Sequence, residues 1–331
     1  MKYTTISFPS LGLELNPPSS FSIGSFNIHF YGVIIAFGLV LAVLYAMRRR
    51  KQFGFSEDDI LDGVLCIVPF AIICARAYYC IFEWDRYADD PISVLYIWKG
   101  GLAIYGGVIG AAIGVLVFCL IKRLRVGAVL DLVALGFPIG QSIGRWGNFF
   151  NREAFGEPTD IFIRMGLYDF VAEKYTYFHP TFLYESLWNL VGFIALHFLS
   201  KTRQYDGQIA LGYVFWYGLG RTFIEGLRTD SLFIANFRVS QLLAACTCFV
   251  AAGVLLFMAL RKHDRRNLFV NIVAEREAEA AALAAAEAEE ALAAETEEGE
   301  EAEDILAEDM IAEDTPAEEI PQEEPEETTE G

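Results

Sequence analysis

Seven ionisable side chains stand inside stretches that are otherwise apolar: Asp62, Arg76, Asp131, Arg145, Glu185, Arg221 and Glu225. Charge in hydrocarbon is costly, and a plain membrane anchor carries none, so these residues mark a polar cavity or a set of internal pairs. Arg145 lies in Gly144-Arg-Trp-Gly-Asn-Phe-Phe-Asn-Arg-Glu153, and Arg228 ends Arg221-Thr-Phe-Ile-Glu225-Gly-Leu-Arg228. Guanidinium groups with amides and carboxylates beside them suit a phosphate held through charge-assisted hydrogen bonds. Headgroup snorkelling or an internal ion pair is the plainer alternative. Arg221 and Glu225 are four apart, share a helix face and read as a structural intramembrane pair. His179-Pro180-Thr181 with Tyr184-Glu185 opens a further apolar stretch, as proline commonly does at a helix start. His179 there, like Tyr31 after His29, reads first as an interfacial residue. Asp62 and Asp131 lie near basic clusters and are taken as their partners, with no role in chemistry.

Other chemistries find little support. The six cysteines sit in apolar stretches without a CxxC pair, as buried small hydrophobes do. The four histidines have no ligand spacing, so no metal site is expected. No Ser-His-Asp or Cys-His arrangement suggests a nucleophile belonging to the protein.

The elements that must position these charges are helices in a membrane. Of 331 residues, 54% are hydrophobic and the mean hydropathy is +0.35, above the roughly 45–50% apolar content of soluble domains. Seven stretches have the ~20-residue length that crosses a bilayer core: 28–47, 60–82, 101–121, 128–149, 181–200, 208–227 and 239–260. Basic clusters follow the first, third, fifth and seventh: Arg48 to Lys51, Lys122 to Arg125, Lys201 with Arg203, and Arg261 to Arg266. With seven spans all four share one side, which the positive-inside rule makes the cytoplasm. The expected fold is therefore an all-α polytopic bundle of seven transmembrane helices, with its N-terminus outside and its C-terminus cytoplasmic. The first 25 residues lack an early apolar core, so the first span is expected to direct insertion rather than a cleaved signal peptide.

Three regions follow: an extracellular arm over 1–27, a membrane domain over 28–266 with a small extracellular cap at about 150–180, and a tail over 267–331. Residues 271–331 hold 24 acidic residues against Arg276, a charge of −23 within a total of −19. The remainder is mildly basic at +4. Such a tail, Ala/Glu-rich and then Pro/Thr/Glu-rich, is expected to be partly helical or disordered, and it argues against nucleic-acid binding. Gly106, Gly110 and Gly114 make a small-residue row that lets a neighbouring helix approach closely. A transporter would also need buried charge, but no internal repeat relates the two halves.

The segment Gly144-Arg-x-Gly-Asn-Phe-Phe-Asn-x-Glu-x-x-Gly156 resembles the defining motif of the prolipoprotein diacylglyceryl transferases, with each fixed position filled. Four further family-like segments occur in the expected order: Ile28-His-Phe-Tyr31-Gly, Gly100-Gly-Leu-Ala-Ile-Tyr105-Gly-Gly, His179-Pro-Thr-x-x-Tyr-Glu185, and Arg221 through Glu225 and Arg228 to Asp230. The resemblance covers about residues 15–265 and leaves the acidic tail outside.

It implies transfer of the diacylglyceryl group of phosphatidylglycerol to the lipobox cysteine thiol of a prolipoprotein. A thioether forms and glycerol 1-phosphate leaves, in the first step of bacterial lipoprotein maturation. It further implies a multi-pass enzyme of the bacterial cell membrane, active toward the outer leaflet, with no cofactor; a monomer is expected. Arg145 and Arg228 would stabilise the leaving phosphate. Asn148 and Asn151 would orient the headgroup hydroxyls or the phosphate. Glu153 would accept from a glycerol hydroxyl or hold an arginine. Tyr31, His179 and Gly156 would complete the phosphatidylglycerol site. Many relatives carry histidine where this chain has Tyr105. Phenols ionise near pH 10, against about 6.5 for imidazole, and are poor bases, so Tyr105 is expected to position the phosphate rather than abstract the thiol proton.

Overall fold

The computed structural model describes residues 3–24, 26–228, 233–234 and 237–313, which leaves Asp230 of the last motif outside the described residues. The chain divides into two units, Met1–Val273 and Ala274–Gly331. In the second, the chain is helical through Glu313.

The first unit opens with four short strands: β1 (Tyr3–Phe8), β2 (Leu13–Leu15), β3 (Ser20–Ile23) and β4 (Phe26–His29). Seven long helices follow: α1 (Phe30–Arg49), α2 (Glu57–Phe82), α3 (Ile104–Lys122), α4 (Val126–Asn151), α5 (Thr181–Lys201), α6 (Gln208–Glu225) and α7 (Val239–Ala259). All but α6 are long and apolar enough to cross a membrane. The 18-residue α6 carries Arg221 and Glu225 and is less apolar. Large side chains such as Phe37, Ile73, Leu120 and Phe249 are exposed on the helices. That surface would be a liability in water and is expected against lipid. The protein is thus a multi-pass helical membrane bundle.

Small and polar residues make several of the helix contacts, because lipid competes with any purely apolar interface, and a buried apolar cluster around Phe118, Leu135, Leu196 and Ile209 makes others. In α3, a Cβ on Gly106 or Gly110 would overlap the carbonyl oxygens of Cys74 and Phe70, and one on Gly114 would come within 2.9 Å of the Ile67 Cα. The glycine row is therefore the seam between α2 and α3. Helix α4 packs against α1, α5 and α6. Ser142 on α4 and Ser186 on α5 each donate to the other's carbonyl, at 2.9 and 2.8 Å. Trp188 on α5 and Trp216 on α6 do likewise, at 3.0 and 2.9 Å, with stacked rings. At the opposite end from the motif, fully buried Asp131 accepts from the N–H groups of Gly207, Ile209 and Ala210 and so caps α6. It pairs with Arg203 at 3.4 Å, and Asp62 pairs with Lys122 at 2.5 Å. Buried Arg76 donates to the carbonyls of Ser93, Val94, Gly100 and Gly101, so it organises the connection leading to Tyr105.

The arm and the cap, read from sequence as separate pieces, are one structure. Strands β5 (Met165–Asp169) and β6 (Lys174–Phe178) join the arm in a sheet ordered β2-β1-β5-β6. Ile6 pairs with Leu167 and Ser7 with Gly166 in antiparallel register. The inner face buries Ile6, Met165, Leu167 and Phe178 against Phe149 from the end of α4 and Phe182 from the start of α5. Arg152 ties the arm further, donating to Thr4 O, Pro17 O and Asn16 Oδ1, each at 2.7 Å. Burial lowers the pKa of this guanidinium. β3 and β4 form a second, two-stranded sheet, and β7 (Phe233–Ile234) with β8 (Phe237–Arg238) a third.

Candidate active site

The motif begins on the last turns of α4 and continues into the turn beyond. Helical spacing puts Arg145 and Asn148 on one face, and the helix stops at Asn151 because Arg152 takes a left-handed conformation, φ 54°. Ala154 is also left-handed at φ 56°, a conformation that costs a non-glycine residue about 1–2 kcal/mol. Two such residues so close together turn the chain back over the end of α4. There Asn148 Nδ2 and Asn151 Nδ2 both donate to Glu153 Oε1 at 3.1 Å, while Asn148 Oδ1 accepts from Arg145 at 3.3 Å. Arg145, Asn148, Glu153 and Asn151 are therefore one hydrogen-bonded chain.

Gly156 closes the turn. Its N–H donates to His179 O at 2.9 Å, and it bridges to Arg228 as an isolated antiparallel pair. A Cβ there would lie 2.7 Å from the His179 Cβ and 2.9 Å from Leu227 O, so three segments meet where only glycine fits. Gly147 plays a similar part beneath the Tyr31 ring, whose Cδ2 would be 2.6 Å from an added Cβ. The His179 ring meets the Tyr184 hydroxyl at 3.2 Å.

The charges converge on a residue to which sequence reasoning assigns no role. Glu185, on α5 and almost fully buried, pairs with Arg145, with Arg221 at 3.2 Å and with Arg228 at 3.3 Å. Arg221 also reaches Glu225 at 2.5 Å. The sequence separates Arg145 and Arg228, as phosphate ligands, from Arg221, as half of a structural pair; the geometry puts all three guanidiniums on one carboxylate. The signal for Glu185 was its charge within an apolar span. The side chains of Arg145 and Arg221 keep 23% and 18% of their surface exposed. Such convergent forks bind phosphate oxygens well.

Tyr105 is apart from this network. It is 45% exposed at the start of α3, its ring lies 6.4 Å from that of Tyr78, and it makes no hydrogen bond to the arginines among the described residues. No group of three or more His, Cys, Asp or Glu suited to a metal occurs among the described residues.

An apolar helical bundle with a buried guanidinium–carboxylate cluster and a small antiparallel sheet defines a multi-pass membrane protein with a polar site inside its helices. Residues 18–259 match the family model described as prolipoprotein diacylglyceryl transferase, and the chain belongs to that family. Among similar proteins is the phosphatidylglycerol–prolipoprotein diacylglyceryl transferase of Limosilactobacillus reuteri, 46% identical over 262 residues that span 77% of this chain and 94% of the relative. Proteins of the same name from Listeria monocytogenes serotype 4a and Bacillus velezensis are 41% and 40% identical, spanning 76% and 77% of this chain and 92% and 97% of theirs. The acidic tail lies beyond the matched family region.

Proposed function

We propose that the protein transfers the diacylglyceryl group of phosphatidylglycerol to the cysteine thiol of prolipoproteins. The observation that carries this reading is the convergence of Arg145, Arg221 and Arg228 on Glu185, beside the Asn148–Glu153–Asn151 network. The sulfur attacks the glycerol carbon that bears the phosphate. A C–S bond forms, the C–O bond breaks, and its electron pair leaves on the phosphate of glycerol 1-phosphate; the thiol gives up its proton. Charge grows on the departing phosphate, and guanidinium donors in a low-dielectric site stabilise that change most. Glu185 holds those donors in place before substrate binds. Asn148, Asn151 and Glu153 are suited to the headgroup hydroxyls, with Tyr31, Gly156 and His179 forming the walls. Tyr105, on a neighbouring helix, reaches the phosphate as a hydrogen-bond donor once lipid is bound. Nucleophile and leaving group both belong to the substrates, so the reaction calls for no cofactor.

The same reading takes α6 as a seventh span, which places the four basic clusters on the cytoplasmic side. The N-terminal arm over 1–27 and the cap at about 150–180 then form one outer layer above the helices of the 28–266 membrane domain, the site opens toward the outer leaflet, and the tail over 267–331 is cytoplasmic. The working unit is a monomer. The test is glycerol phosphate release by purified protein supplied with phosphatidylglycerol and a lipobox peptide. Release that requires the peptide cysteine and collapses in Arg145→Ala is expected. No release from folded wild-type protein, with both substrates varied, would overturn the proposal.

A further inference from the structure

We propose that Gln141 holds an ester carbonyl of the bound phospholipid, one helical turn from the guanidinium cluster. Phe137, Gln141 and Arg145 recur every four residues on α4, as Tyr213, Tyr217 and Arg221 do on α6, so each set lies on one helix face. The two rows meet in the same order. Phe137 stacks on Tyr213 with centroids 5.6 Å apart, the Gln141 side chain lies near Tyr213, and Arg145 and Arg221 share Glu185. Gln141 is thus presented on the face that carries Arg145, but deeper in the bundle.

Its carboxamide is not fully satisfied. The side chain lies near Tyr213, and the carboxamide oxygen is buried and has no hydrogen-bond partner among the described residues. Hydrocarbon supplies no partner for a polar atom, so an orphan there demands one from protein or ligand. The two ends of the amide exchange by a half-turn of its last torsion. With the oxygen accepting from the Tyr213 hydroxyl, the NH2 group becomes the donor directed into the bundle.

The lipid's covalent structure says which acceptor belongs there. Four helical residues advance ~6 Å. In a glycerophospholipid the carbon bearing phosphate is followed by two ester-linked carbons, which brings the carbonyls within that reach of the phosphate. A peptide fits less well, because its position is set by the thiol at the glycerol carbon rather than by the phosphate. The inference rests on the phosphate reading of Arg145.

The test compares diacyl with dialkyl phosphatidylglycerol, since an ether oxygen is a weak acceptor. Full-length protein is assayed with each lipid and a lipobox peptide, and the ratio of kcat/KM values is read. Because both values come from one preparation, incomplete folding cancels. Wild type is expected to favour the diacyl lipid by about 5-fold, the worth of one net hydrogen bond. Gln141→Leu should bring the ratio to near unity through the diacyl lipid alone, and Tyr213→Phe should lower it part of the way. Gln141→Met, which keeps the length and apolar packing, carries the same reading should the leucine variant not fold. An unchanged ratio in the Gln141 variants, or no preference in wild type, overturns the inference. A raised KM for the peptide alone also overturns it and assigns the amide to the peptide. Wild type that transfers neither lipid would overturn the proposed function itself.

Discussion

Glu185 governs the site at the scale of single residues. A buried carboxylate shared by three guanidiniums cannot be removed without leaving uncompensated charge, and breaking such a pair costs about 3–5 kcal/mol. Glu185→Gln, nearly isosteric, is therefore expected to lower the thermal unfolding midpoint in detergent and to abolish transfer. Retained activity at an unchanged midpoint would remove Glu185 from its role. Arg145→Lys keeps the charge but loses the planar fork. A loss of about 10²–10³ in kcat, the usual effect of deleting one donor to a developing anion, is expected for it in the glycerol phosphate assay. Tyr105→Phe should slow transfer without shifting its pH optimum, because the role proposed for the hydroxyl is to position the phosphate and not to abstract a proton. Disappearance of the alkaline limb of the pH–rate profile would show instead that Tyr105 is the base.

At the scale of elements, the turn after α4 is where backbone conformation and chemistry meet. Ala154 sits at φ 56° with its carbonyl accepting from the Thr181 hydroxyl at 2.5 Å. Ala154→Gly is expected to raise stability by about 0.5–1 kcal/mol, the relieved strain of about 1–2 kcal/mol offset in part by the entropy glycine adds to the unfolded chain, as measured by thermal unfolding. Gly156→Ala should do the reverse: an added Cβ pushes the turn off His179 and Leu227, displaces Arg228, and depresses transfer more than it depresses stability. The site was partly legible in the sequence for a local reason. Residues 144–156 are contiguous, so their motif survives as a string. The α2–α3 seam was legible too, since a row of glycines four apart means close approach wherever it lies on a membrane helix. The strands were not legible. β1 begins near the N-terminus, its partner β5 begins at Met165, and each is too short to carry a period of its own.

For the whole molecule, the charge is divided between a mildly basic membrane part and an acidic tail, and the family match stops before the tail. Deleting residues 274–331 is accordingly expected to leave lipid transfer near the full-length rate, measured on protein purified to equal amounts; collapse of activity would assign the tail a part in the reaction. What the sequence by itself determined is what chain-local physics sets: runs of apolar residues long enough for a bilayer, basic clusters between them, the Arg221–Glu225 helical pair, and the motif that carries the family. What only the tertiary structure decided is which charges share a partner. Arg145, Glu185, and Arg221 with Arg228 come from three different segments, and no spacing along the chain encodes their meeting. It arises because a charge taken into a low-dielectric bundle must find its complement there. For the same reason the N-terminal arm became part of the cap: an exposed strand edge and the apolar face around Ile6 are satisfied only by β5, far along the chain.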